Sequence, residues 1–128
     1  MGQDQNKVFK YKEDNPDLNQ RKELSNSILK NNPQKIPIII EPDLIRFKEI
    51  KKTKYLVPKE FTFAQLCYLI RVQLDLDPYE SLFLLINGTT SITGDILIQD
   101  IYKKYKDLDG FLYIKYTGEL IWGNYKDK

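Results

Sequence analysis

The β-strand segments of this chain carry apolar side chains on both faces, and this feature limits the possible folds more than any other. In Lys35–Glu41 (KIPIIIE), four of the seven residues are isoleucine. Side chains alternate across a strand, so three isoleucines point to one face while Ile39 and Pro37 point to the other. Leu82–Ile86 is a continuous apolar run. Strands of this kind need cover, which predicts a sheet packed against helices.

The length and residue content predict one compact domain and make most hydrolase chemistry improbable. The chain has 128 residues, 41% of them hydrophobic and 30% charged, which suits a single core. It contains no histidine and one cysteine, Cys67. A Ser-His-Asp triad, a Cys-His pair, a histidine metal cage and an intrachain disulfide are therefore excluded. We expect no enzyme activity, no metal and no cofactor, and we expect Cys67 to lie in the core.

Charge and hydropathy predict a soluble, intracellular protein, and we expect it to be a monomer. The net charge of +2 is too small for the dense basic stripe of a nucleic-acid-binding protein. The longest apolar runs are about five residues, far short of the ~20 that span a bilayer. The polar opening MGQDQN does not have the pattern of a secretory signal.

Residue patterns predict seven elements in the order helix, strand, strand, helix, strand, short helix, strand. Asn15, followed by Pro16 and Asp17, predicts a first helix that runs to about Lys30. Thr62 is expected to cap a central helix, and Asp95 a shorter one that ends before Asp109 and Gly110. The central helix has an apolar stripe at helical spacing, formed by Phe63, Leu66, Cys67, Ile70 and Leu74. The expected strands are Lys35–Glu41, Lys52–Val57, Ser81–Ile86 and Phe111–Thr117.

This order predicts an α+β fold, the ubiquitin-like β-grasp, with a four-stranded mixed sheet, a central helix and an N-terminal helical extension. The extension is expected at about residues 8–30, within a domain of residues 1–123. Another two-layer α+β domain is the alternative.

Apolar side chains are left over on the sheet face away from the central helix. Alternation places Pro37, Ile39, Leu56 and Phe111 there, with lysines alongside. A contiguous apolar patch on a small domain usually marks an interaction site, which predicts a binding groove. The alternative is that the first helix simply covers this face.

Several motifs in one register resemble the autophagy ubiquitin-like modifier family, the GABARAP and microtubule-associated protein light-chain relatives. The resemblance covers about Val8 to Gly123. It rests on KIPIIIE, KYLVP, YLIR, KDLDGFLYIKYTGE and the pair Trp122–Gly123.

The resemblance implies two pockets that accept an aromatic-x-x-aliphatic motif laid in extended form against the second strand. The positions that match the aromatic pocket are Ile28, Pro37, Ile39, Lys54, Leu56 and Phe111. Those that match the aliphatic pocket are Tyr55, Leu56, Phe61, Leu66 and Leu69, although a leucine on a central helix is more often plain core. Contacts to an acidic partner are expected from Arg21, Lys22, Lys52 and Lys54.

The resemblance also implies that the chain is conjugated through Gly123 to phosphatidylethanolamine. A cysteine protease would remove residues 124–128, and activating and conjugating enzymes would carry the glycine as thioesters. Without a Cβ, an extended glycine end fits a narrow catalytic cleft. We therefore expect a modifier that recruits autophagy receptors, cytoplasmic at first and on the autophagosomal membrane once lipidated.

Departures from the family pattern and rival functions stay open. Leu24 stands where relatives often carry an acidic residue, and Gln73 where they usually carry a basic one. One rival is a β-grasp adaptor that binds peptides but is never conjugated. A second is a basic module for tubulin or nucleic acid that uses Lys7, Lys10, Lys12, Arg21 and Lys22.

Overall fold

The computed structural model describes residues 9–43, 48–89 and 92–118. These residues form four helices and four strands. The helices are α1 (Lys10–Asp14), α2 (Leu18–Asn31), α3 (Phe63–Leu74) and α4 (Ile98–Tyr105). The strands are β1 (Lys35–Pro42), β2 (Lys54–Pro58), β3 (Phe83–Leu85) and β4 (Leu112–Thr117). In the described ranges, no helix has the length and apolar content to cross a membrane.

The four strands form one mixed sheet in the order β2-β1-β4-β3. The two central strands, β1 and β4, run parallel, and Ile38 lies opposite Leu112. The outer strands β2 and β3 are antiparallel to their neighbours. A parallel central pair flanked by antiparallel hairpin partners, with a helix packed on one face, is the predicted β-grasp arrangement.

The core lies between the sheet and α3, as the alternation predicts. Ile36, Ile38 and Ile40 of β1 all belong to the buried cluster, together with Leu66 and Ile70 of α3. Both α3 residues are 0% exposed. Burying one such side chain contributes about 1.5–3 kcal/mol, so the helical stripe is what holds α3 on the sheet. The predicted start of α3 is also confirmed, since Thr62 and Gln65 form a capping box.

Two predicted helix caps are wrong. Asp17, rather than Asn15, caps α2, and its carboxylate accepts hydrogen bonds from the N–H groups of Asn19 and Gln20. Asn15 instead donates its side-chain amide to the Tyr11 carbonyl at 3.0 Å, at the end of α1. Pro16 fits both placements, because the residue that follows a proline can cap a helix as well as the one before it.

The second wrong cap is Asp95. Helix α4 begins three residues later, after Leu97, with no side-chain cap. Asp95 accepts a hydrogen bond from the Thr93 hydroxyl at 2.7 Å and so stabilises the preceding turn. Local side-chain bonds of this kind compete with capping.

The N-terminal segment covers part of the second face of the sheet, the face away from α3. This agrees in part with the alternative prediction, in which the first helix covers that face. The Tyr11 ring meets the Phe111 ring edge-on at 5.5 Å between centroids, and the Phe9 ring meets that of Tyr113 at 4.8 Å. The Glu41 carboxylate on β1 accepts hydrogen bonds from the backbone N–H groups of Lys10 and Tyr11 at 2.7 and 2.8 Å. These bonds satisfy two free amides at the start of α1.

Gly110 is the tightest point in the turn that leads into β4. Its φ is +93°, and a Cβ there would overlap Ser25 Oγ and lie 3.1 Å from Ser25 Cβ. The Gly110→Ala substitution is expected to lower the free energy of unfolding by about 2–4 kcal/mol, because it adds both backbone strain and steric overlap. Urea denaturation measures this loss.

A double-mutant cycle tests the origin of that loss. Ser25→Ala removes Oγ, so the two substitutions together should cost less than the sum of the separate losses. Strict additivity would show that overlap with Ser25 contributes nothing.

Candidate functional site

The second strand forms an open edge with one apolar side chain facing out. Among the described residues, β2 pairs with β1 on one side and is an edge of the sheet. Its side chains alternate, with Tyr55 and Val57 buried, Lys54 exposed and Leu56 39% exposed. An edge strand presents unpaired N–H and C=O groups to an incoming extended peptide.

The structure brings most of the predicted aromatic pocket together. The register places Leu56 opposite Pro37, and Lys54 opposite Ile39. Pro37, Ile39 and Phe111 are all buried, the last two at 0% and 1% exposure, so of the four apolar residues predicted to line the groove only Leu56 is accessible, beside the exposed Lys54. The remaining position, Ile28, is half-buried on α2, a helix that packs against β1.

The predicted aliphatic set is divided between core and surface. Leu66 is fully buried and Tyr55 is 7% exposed, so both belong to the core cluster. Phe61 and Leu69 are half-buried and pack against that cluster from outside. Of the predicted set, Phe61 and Leu69 are therefore partly accessible and Leu56 is exposed.

The lysines predicted to meet acidic partners are exposed, and two of them stand on aromatic rings. Lys22, Lys52 and Lys54 all face solvent. The Lys54 Nζ lies 5.8 Å from the Tyr11 ring centroid and the Lys52 Nζ 5.1 Å from that of Tyr55. These contacts keep the two ammonium groups close to the open edge of β2.

Arg21 does not share that placement. It is 8% exposed, and its Nε donates to Asp109 Oδ2 at 2.8 Å. Its Nη1 donates to the Asn15 carbonyl at 2.8 Å. Because the guanidinium is taken up inside the protein, Arg21 anchors α2 and is not an exposed cation for a partner.

Asp109 is the centre of a buried junction that the sequence analysis missed. Its carboxylate accepts hydrogen bonds from Arg21, from the Tyr113 hydroxyl at 2.5 Å and from the Phe111 N–H at 2.9 Å. The Ser25 hydroxyl donates to its carbonyl. Burial raises the pKa of Tyr113, and the adjacent Asp109 charge raises it further. The junction holds α2 against the start of β4, next to the buried Phe111.

Cys67 offers no reactive thiolate. It packs against the core cluster, and burial raises the pKa of its thiol to about 11. The thiol is therefore protonated at neutral pH, whereas a nucleophile needs the thiolate. In the ranges that the structure describes, no group of three or more cysteine and carboxylate side chains could hold a metal ion.

The predicted conjugation residue, Gly123, lies outside the described residues, as do Trp122 and residues 124–128. The last described residue is Gly118, just after β4.

The protein has a mixed four-stranded sheet with α3 packed on one face and two N-terminal helices on the other. This arrangement defines a ubiquitin-like protein with an N-terminal extension. The family model described as autophagy protein Atg8, ubiquitin-like, matches residues 20–123. The chain belongs to the Atg8 family of ubiquitin-like autophagy proteins.

Individual relatives agree over most of their length. The chain is 37% identical to autophagy-related protein 8e of Arabidopsis thaliana over 119 residues, which cover 92% of this chain and 96% of that one. It is 38% identical to autophagy-related protein 8 of Candida glabrata over 104 residues, 80% and 87% of the two chains. The crystal structure of Trypanosoma brucei ATG8 superimposes with a TM-score of 0.82 at 34% identity, covering 91% of this chain and all of that one.

Proposed function

We propose that this protein is an autophagy modifier, conjugated through Gly123 to phosphatidylethanolamine, that recruits receptors at the groove beside β2. It performs no catalysis itself. The observation that supports a receptor site at β2 is the exposed Leu56 on an edge strand, on the same face of the sheet as the buried Ile39 and Phe111. The attachment site is supported by the family match, which extends to residue 123.

An extended receptor segment would add to β2 as a further strand. Its backbone would pair with the free edge, while alternate side chains would reach the two pockets. An aromatic side chain fits against Leu56, Lys54 and Ile28, and an aliphatic one fits against Phe61 and Leu69. Exposed Lys22, Lys52 and Lys54 favour acidic residues beside the motif, chiefly by speeding encounter.

Conjugation requires separate partners. A cysteine protease would hydrolyse the peptide bond after Gly123 and release residues 124–128. The activating enzyme would convert the free Gly123 carboxylate to an acyl adenylate with ATP, releasing pyrophosphate, and a cysteine thiol would displace AMP to form a thioester. Thiol exchange would then pass the glycine carbonyl to the conjugating enzyme. The amine of phosphatidylethanolamine would displace the thiol and form an amide. The protein would be cytoplasmic before this step and on the autophagosomal membrane after it.

The groove is tested by truncating its exposed leucine. Leu56→Ala is expected to weaken binding of an aromatic-x-x-aliphatic peptide by about 1–3 kcal/mol, as for a pocket residue at a hot spot. Isothermal titration calorimetry measures this change.

Leu18→Ala is the matched control, because Leu18 is a leucine of nearly equal exposure, 37% against 39%, at the start of α2. It should leave the affinity unchanged. Equal isotherms for the wild-type protein and Leu56→Ala would show that the peptide does not bind at β2.

A further inference from the structure

The end of α4 and the turn that follows it carry an exposed basic and apolar surface outside the groove. Lys103, Lys104 and Lys106 are all exposed, and Leu108 is 80% exposed. We call these four residues the α4 tip. The segment is exposed although it joins two well-packed elements, since Ile101 before it and Leu112 after it are 2% and 0% exposed.

The two acidic residues of the turn are each paired with a cation outside the α4 tip. Asp107 pairs with Lys12 at 2.7 Å, and Asp109 pairs with the buried Arg21. Their charges therefore do not balance the lysines of the α4 tip. On α4 itself, Asp100 is the one acidic side chain, and it stands one turn before Lys103 and Lys104.

Aromatic rings and one hydrogen bond organise the α4 tip. The Lys104 Nζ lies 5.3 Å from the Tyr105 ring centroid, and the Lys106 Nζ lies 5.4 Å from that of Tyr102. The Tyr102 hydroxyl donates to the Gly110 carbonyl at 2.7 Å, which fastens the turn to the helix. The turn that carries Lys106 and Leu108 is therefore ordered against the end of α4.

We propose that the α4 tip binds the surface of an anionic lipid bilayer in a weak, reversible contact, which by itself leaves the unconjugated chain mostly in the cytoplasm. Lysine ammonium groups are attracted to acidic headgroups, and an exposed leucine among them can enter the boundary between headgroups and acyl chains. A nucleic acid would pair with the lysines but offers no apolar phase for the exposed leucine, whereas the bilayer boundary offers both an acidic surface and an apolar phase.

This contact is separate from the proposed attachment at the C-terminus. The α4 tip precedes the first residue of β4, whereas Gly118 follows the last. At about 3.3 Å per residue, the two ends of β4 are about 17 Å apart. The proposal therefore does not depend on conjugation.

Vesicle co-sedimentation of the full, unconjugated chain tests the proposal. The protein is expected to sediment with vesicles of phosphatidylserine and phosphatidylcholine, and not with phosphatidylcholine alone. A lysine near an anionic surface strengthens binding about fivefold, so Lys103→Glu with Lys104→Glu should weaken it by about 25-fold or more. Leu108→Ser should weaken it about five- to tenfold.

The control reverses two other exposed lysines, Lys30→Glu with Lys51→Glu, which alters the net charge equally. It should retain most of the binding. An equal loss in this control, equal binding to neutral vesicles or no binding by the wild-type protein would overturn the proposal. Unchanged binding by Leu108→Ser would overturn the assignment to a bilayer. No conjugating enzyme is present, so the result is independent of the proposed modification at Gly123.

Discussion

Lipid attachment is expected to disappear when Gly123 is replaced by alanine, while the fold remains intact. The proposed enzymes must admit an extended chain end into narrow clefts, and a methyl group on the reacting residue obstructs both hydrolysis and thioester transfer. Gly123 follows β4 in the sequence, and the core cluster of the described residues is formed between Ile36 and Tyr116. The lipidated and unmodified forms can be separated by electrophoresis of cell extracts and identified by intact mass.

Two further chains separate processing from conjugation. A chain that ends at Gly123 should be lipidated without the protease, whereas Lys126→Ala should behave as the wild-type protein does. Persistence of the lipidated form in Gly123→Ala would show that another residue is joined to the lipid. A protein recovered from its own cells with residues 124–128 intact and no lipid would favour the unconjugated adaptor instead.

The Arg21→Met variant is expected to lose about 3–5 kcal/mol of unfolding free energy. Methionine keeps much of the side-chain length but removes the partner of Asp109, whose side chain is 0% exposed. The carboxylate would then remain buried with the Tyr113 hydroxyl and one backbone N–H as its remaining donors. The loss can be measured as a lower midpoint of urea denaturation with an unchanged slope.

The neighbouring Lys22→Met provides the control, since Lys22 occupies the same helix but is exposed. Its stability should change by no more than about 0.5 kcal/mol. If both variants had the same midpoint, the Arg21–Asp109 pair would contribute nothing beyond an ordinary surface charge.

Local patterns predicted the sheet and its central helix because those features depend on neighbours in sequence. Strand alternation assigned Ile36, Ile38 and Ile40 to the core side, and the helical stripe did the same for Leu66 and Ile70. These assignments need only the fixed spacing of side chains along an element.

The same alternation predicted which apolar residues share the second face of the sheet, but not their exposure. It placed Ile39 and Phe111 with Leu56 on one face, yet the first two are buried and Leu56 is not. The difference arises because the N-terminal segment and α2 cover only part of that face. How far a thin amphipathic helix extends over a sheet depends on its docking angle, which no local pattern contains.

The Arg21–Asp109 junction was missed for a related reason. The two residues are 88 positions apart, and an arginine on a surface helix usually faces water. The sequence contains only an aspartate followed by a glycine, Asp109 and Gly110. The structure shows that this glycine has a positive φ and turns the chain into β4. Sequence reasoning therefore assigned Arg21 to an external partner, while the fold pairs it internally.

Helix α1 has only five residues, far fewer than an isolated helix needs to persist in water. Its first amides are bound by Glu41, about thirty positions later in the chain, and its neighbouring rings rest on β4. The helical structure of this segment therefore depends on contacts with a sheet that must already be folded. We therefore expect α1 to be the first element to unfold when β1 and β4 are destabilised.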